Sequence, residues 1–119
     1  MGDSMKIKEI AEILDAEILT DFSNENTDIT YGFASDLMSD VLALADNTTA
    51  LITGLNNPQI VRTAEMLDIS LIILVRGKKP GEETLAIANE TNITILTTDM
   101  TMYETCGKLY ESGVLALEI

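Results

Sequence analysis

Three residue pairs, Thr53-Gly54, Arg76-Gly77 and Thr98-Asp99, each close an apolar run, at steps of about 22 to 23 residues along the 119-residue chain. A hydroxyl, a guanidinium and glycine backbone gathered in one place suit the binding of a small anion. Hydroxyl and amide groups donate hydrogen bonds, the guanidinium supplies charge, and glycine lets a ligand approach the main chain. Thr53, Gly54, Arg76, Gly77 and Thr98 are therefore the candidate ligand-binding residues. The plain alternative is that Gly54 and Gly77 serve tight strand-to-helix turns and that Arg76 pairs with one of the 20 carboxylates.

Other chemistry is thinly supplied. With no histidine and one cysteine, the chain lacks the usual base of a nucleophilic triad, the usual zinc ligands and a disulfide framework. Cys106 shares an apolar helical stripe with Met102 and Leu109, which reads as a buried structural thiol. Residues 77–84 contain Gly, Lys and Thr, but not in the order of a phosphate-cradling P-loop. Asp36 and Asp40 lie one helical turn apart and are the pair able to share a cation such as Mg²⁺; capping a helix and favouring its dipole accounts for them more simply. The expectation is no catalytic residue, no metal ligand and no cofactor, hence not an enzyme.

Charge narrows the partners. A formal net charge of −13, from 20 acidic against 7 basic residues, repels nucleic-acid phosphates and anionic membranes. No apolar run approaches the roughly 20 residues that cross a bilayer, and no leader-like segment opens the sequence, so a cytoplasmic protein is expected. Residues 1–5 read as an added or frayed start, and 6–119 as a single domain, of a length that buries one core.

The elements that must position these residues are legible in the apolar pattern. Ser70 to Val75 runs without polar alternation into Arg76-Gly77 and reads as a central strand buried on both faces, as in a parallel sheet covered by helices. Thr49–Gly54 and Ile93–Thr98 repeat the pattern, each followed by apolar residues at helical spacing: Ile60, Val61, Ala64 and Leu67 after the first, Met102, Cys106, Leu109 and Tyr110 after the second. Pro58 suits the first turn of one helix, and Glu82-Glu83 open another where negative charge is favoured. Helix-start amides near Asn57 and Glu82 would then lie close to Arg76.

Before these units, Ile7, Ile10, Ala11 and Leu14 mark a short amphipathic helix, residues 16–20 a brief strand, and residues 23–28 a polar loop. Ile29–Ala34 reads as one strand, with Gly32 at a bulge or close approach, and Ser35 or Asp36 as the cap of the next helix. Ser112-Gly113 stops the last helix, and residues 114–117 add an edge strand. Consecutive strand-helix units specify an α/β fold, a single three-layer-like domain with a mostly parallel sheet.

The order of these units resembles the DRTGG domain, a module similar to the non-catalytic N-terminal domain of HPr kinase/phosphorylase. The resemblance covers about residues 6–113. It rests on Tyr31-Gly-Phe-Ala-Ser-Asp-Leu-Met-Ser-Asp-Val-Leu42, on Asp46 before the Thr49–Gly54 strand, on Leu74-Val-Arg-Gly-Lys-Lys-Pro80, and on Ile95-Leu-Thr-Thr98. Of the letters that name the family, Asp46 and Gly77 match, while Asn47 and Val75-Arg76 depart. The resemblance implies a regulatory or protein-interaction module that forms a homodimer or engages a protein partner. The alternative is a domain sensing a small anionic metabolite or nucleotide at the Gly54, Arg76 and Thr98 edge.

Overall fold

Leu71-Ile-Ile-Leu74 has no polar alternation because both of its faces are covered. In the computed structural model, which describes residues 4–21 and 24–118, β6 (Leu71–Leu74) is buried at every residue. It lies between β5 (Thr49–Thr53) and β7 (Thr94–Thr97), parallel to both, with Ile72 opposite Leu51 and Ile95. β4 (Tyr31–Ala34) continues the parallel set beyond β5, and β8 (Leu115–Ala116) forms a parallel edge beyond β4. At the opposite edge β2 (Glu17–Ile18) runs antiparallel to β7, giving the order β2-β7-β6-β5-β4-β8. The expected mostly parallel sheet is thus present, with Ser70–Val75 at its middle.

Alternate side chains of the strands feed two separate cores. Ala50, Ile52, Leu71, Ile73 and Leu96 face α1 (Ile7–Ile13) and α5 (Met102–Ser112), meeting Ile7, Ile10 and Leu109. Leu51, Ile72, Leu74 and Ile95 face α2 (Met38–Leu44), α3 (Pro58–Met66) and α4 (Glu82–Glu90), meeting Val41, Ile60, Ala64 and Ala88. Handedness explains the division. From β4 to β7 the chain steps across the sheet in one direction, so right-handed crossovers put α2, α3 and α4 on one face; the return from β7 to β8 reverses direction and puts α5 on the other. The result is three layers.

Helix endings repeat one device. Asp15, Asp68, Asn92 and Gly113 adopt left-handed backbone, with φ of 49°, 56°, 59° and 114°. The amide of the residue after each, Ala16, Ile69, Ile93 and Val114, donates back to the carbonyl of Ala11, Ala64, Ala88 and Leu109 at 2.9–3.0 Å. This closes the last helical turn and drops the next residue toward the sheet. Only Gly113 takes that conformation without a Cβ penalty. Asp68→Gly is therefore expected to stabilise the domain by about 0.5–1 kcal/mol in urea unfolding; a loss of stability would mean that the Asp68 side chain contributes more than its backbone strain costs.

The structure departs from expectation near the start. Residues 29–34 are not one strand: β3 (Asp28–Ile29) pairs antiparallel with β1 (Met5–Lys6), and the chain changes partner at Thr30, where the amides of Thr30 and Tyr31 both reach the Thr48 carbonyl. The break falls there, two residues before Gly32. Met5, assigned by sequence to the start, is buried opposite Ile29. Met1–Asp3 and the Ser23 end of the expected polar loop lie outside the described residues. Among the described residues no helix is long and apolar enough to cross a membrane.

Candidate functional site

Parallel strands deliver their carboxyl ends to one edge, the place where α/β sheets bind ligands. Four connections meet there: Ser35-Asp36 after β4, Gly54 after β5, Val75–Lys79 after β6 and Thr98-Asp99 after β7.

Asp36, expected from sequence to cap the next helix in alternation with Ser35 or to share a cation with Asp40, is anchored at this edge instead. Its Oδ1 accepts from the Thr53 hydroxyl and from the Gly54 amide, both at 2.8 Å. Those two bonds, the amide above all, hold its carboxyl below the usual carboxylate range, with a further contribution from the positive charge of Arg76. It does not cap α2: Leu37 occupies that position without a side-chain bond, and the Ser35 hydroxyl accepts from the Leu37 amide in a local turn. Asp36 turns toward β5 because the neighbouring strand end offers two donors together, which satisfies a carboxylate better than one helix amide.

Arg76 comes to the same place by a strained route. Val75–Lys78 is a tight turn closed by the Lys78 amide on the Val75 carbonyl at 3.2 Å, with φ of 59° at Arg76 and 67° at Gly77. Two successive left-handed residues make this a mirror-image turn, normally the domain of Gly, Asn and Asp. An arginine there costs roughly 1–2 kcal/mol in backbone strain. The turn is pinned from below by Arg76 and Gly77 amides donating to the carbonyls of Met100 and Thr98, both at 2.8 Å, and by the Thr97 hydroxyl donating to the Lys78 carbonyl at 2.7 Å.

Its exposed guanidinium lies over Gly54: a Cβ added at Gly54 would stand 2.7 Å from Nη2 of Arg76 and 3.7 Å from Oδ2 of Asp36. Among the described residues no carboxylate comes within 4.0 Å of Arg76. Its neighbours on the turn, Lys78 and Lys79, are both exposed, and Lys79 makes a surface ion pair with Glu17 at 3.5 Å.

The other residues picked from sequence sort differently. Thr53 and Gly54 act through Asp36, and Gly77 supplies the turn, where a side chain would also crowd Asp99 at 3.1 Å. Thr98 points away: its buried hydroxyl donates to the Leu14 carbonyl at the end of α1, at 2.8 Å. The helix starts contribute little to anion binding, because Pro58 has no amide hydrogen and Glu82 and Glu83 already sit in the first turn of α4. Asp46 lies before β5, at the opposite edge of the sheet, where it accepts from the Thr48 amide and from the Thr48 and Thr49 hydroxyls. No cluster of metal-ligating side chains occurs among the described residues.

An apolar concavity lies elsewhere. A groove of about 340 Å³ lies between α5 and the β4–β8 edge, lined by Gly32, Ala34, Cys106, Tyr110 and Leu115 among others. It contains no charged side chain, so it suits an apolar partner, and the charged chemistry stays at the carboxyl edge. Cys106 is half-buried against the core, which pushes its thiol up from the ordinary value.

Comparisons with known proteins agree with this architecture. The family model of the DRTGG domain matches residues 9–112. Among solved structures, the chain is similar to the crystal structure of the CBS and DRTGG domains of the regulatory region of Clostridium perfringens pyrophosphatase, complexed with its activator diadenosine tetraphosphate. The TM-score is 0.76 at 19% identity, over 95% of this chain and 51% of the other. The present chain thus spans about half the length of that structure. A search of curated proteins finds no match.

Proposed function

The chain belongs to the DRTGG domain family, and from that premise we propose that it is a non-catalytic regulatory module whose input is a small anionic ligand bound at the carboxyl edge of its sheet. One observation carries the ligand reading: Arg76, exposed and without an ion pair among the described residues, sits in left-handed backbone above a glycine that leaves it room. Strain of this kind persists where the surrounding structure over-determines it, and such positions gather at functional sites. The similarity to a regulatory region crystallised with a nucleotide activator supports a nucleotide as the first ligand to try.

Calorimetry with ATP and diadenosine tetraphosphate tests the proposal, together with Gly54→Ala. Gly54 is not in left-handed backbone, so alanine fits its conformation, and the new Cβ displaces only the far end of a flexible side chain. The expected result is a fold and melting temperature close to those of the parent, with ligand affinity reduced at least several-fold. Full affinity in Gly54→Ala would remove Arg76 from the site.

Self-association is a second reading, favoured by the apolar surface around α5 and the edge strand β8. Tyr103 is 90% and Tyr110 68% exposed, and Leu115 stands beside them on a strand paired on one side. Light scattering after size exclusion is expected to show a dimer; a monomer at high concentration would count against it.

A further inference from the structure

We propose that Asp36 sets the specificity of the Arg76 edge, which takes a ribonucleotide with a sugar hydroxyl on Asp36 and phosphate on Arg76, and refuses a bare inorganic anion. The inference rests on the ligand reading above and adds what the ligand must carry.

Its basis is the unequal use of the two carboxylate oxygens. Oδ1 is saturated by Thr53 and Gly54. Oδ2 has no hydrogen bond among the described residues; it and Nη2 of Arg76 both flank the place where a Cβ on Gly54 would stand, at 3.7 and 2.7 Å, without forming an ion pair within 4.0 Å. Two opposite charges that flank one glycine beyond ion-pair distance can take between them one group that donates to the carboxylate and accepts from the guanidinium, since heavy atoms bridged by one hydroxyl stand about 4.5–5.5 Å apart. A hydroxyl has both capacities, whereas phosphate oxygens only accept when ionised.

The same carboxylate repels an anion that arrives alone, so the phosphate must be displaced from Asp36 while the sugar fills the gap. Arg76, Lys78 and Lys79 are exposed cations on that turn, Lys79 also meeting Glu17 in a surface ion pair. Sugar hydroxyls on an acidic residue at a strand's carboxyl end, with phosphate close by, is a workable division of labour for an α/β edge.

The test is calorimetry of the full chain with ATP, 2′,3′-dideoxy-ATP and pyrophosphate, repeated in Asp36→Asn. Asparagine can keep its Oδ1 as acceptor for Thr53 and Gly54, and the ligand series in the parent protein reads the proposal even if the variant fails to fold. The expected result is ATP binding at least tenfold tighter than either of the other two, with Asp36→Asn narrowing the gap and admitting pyrophosphate. Equal affinity for ATP and the dideoxy analogue, both lost in Arg76→Gly, would overturn the role of Asp36 while leaving the ligand site standing. No binding of ATP or diadenosine tetraphosphate, or binding indifferent to Arg76→Gly, would overturn both.

Discussion

Ile73→Ala is expected to destabilise the domain by about 2–5 kcal/mol, the range for truncating a fully buried isoleucine. Ile73 is 0% exposed in the central strand, opposite Ile52 on one side and Leu96 on the other, and it faces the layer of α1 and α5. Strands and helices surround it, so the cavity cannot collapse without moving several elements together. Against a total stability of about 5–15 kcal/mol for a domain, the loss is a large fraction, visible as a drop of roughly 10 °C or more in melting temperature. Met66→Ala, at a side chain 73% exposed, should change stability by no more than about 0.5 kcal/mol. Urea unfolding of both variants measures the contrast; a cost below about 1 kcal/mol at Ile73 would mean that β6 is not the middle of the core.

The second large effect is on binding, and its sign in stability is opposite. Arg76→Gly removes the guanidinium and relieves left-handed strain at φ 59°. Glycine's greater unfolded-state entropy offsets part of that relief, so a net gain of up to about 1 kcal/mol is expected. The exposed charge itself adds little to stability. Nucleotide affinity should fall at least tenfold in the same variant. A protein that becomes more stable as it stops responding has kept an unfavourable residue for function. Reduced stability with intact binding would instead make Arg76 a structural residue.

The matched unit covers nearly all of the chain, and the carboxyl-edge cluster lies within it. Asp46, which agrees with the family's lettering, is occupied at the far edge in shaping the turn into β5. Agreement in a motif and participation in the candidate site are therefore separate matters here: Asp36, Gly54 and Arg76 converge, and Asp46 does not join them.

Much of the fold was legible because apolar runs of four to six residues, followed by helical spacing, leave little choice of element. The central strand, the α/β class and the short edge strand after Gly113 all follow from burial pattern and turn chemistry within a window of about twenty residues. So does the shortage of catalytic residue types, which is a matter of composition. Gly54, Arg76 and Thr98 could be assigned to one edge because parallel strands of similar length end together. The direction of a side chain at that edge was not legible. Thr98 turns to Leu14 and Asp36 to Gly54 because of partners 84 and 18 residues away; Met5 is buried because Ile29 lies opposite.

The pair at the centre of the proposal is the clearest instance. The sequence by itself determined that an arginine and a glycine follow the central strand, and that Asp36 follows another. Only the tertiary structure brought Asp36 and Arg76, forty residues apart in the chain, to the two sides of Gly54. The reason is physical: strand order, the hydrogen bonds that hold a left-handed turn, and the choice between a helix cap and a neighbouring strand's donors are all settled by contacts distant in sequence.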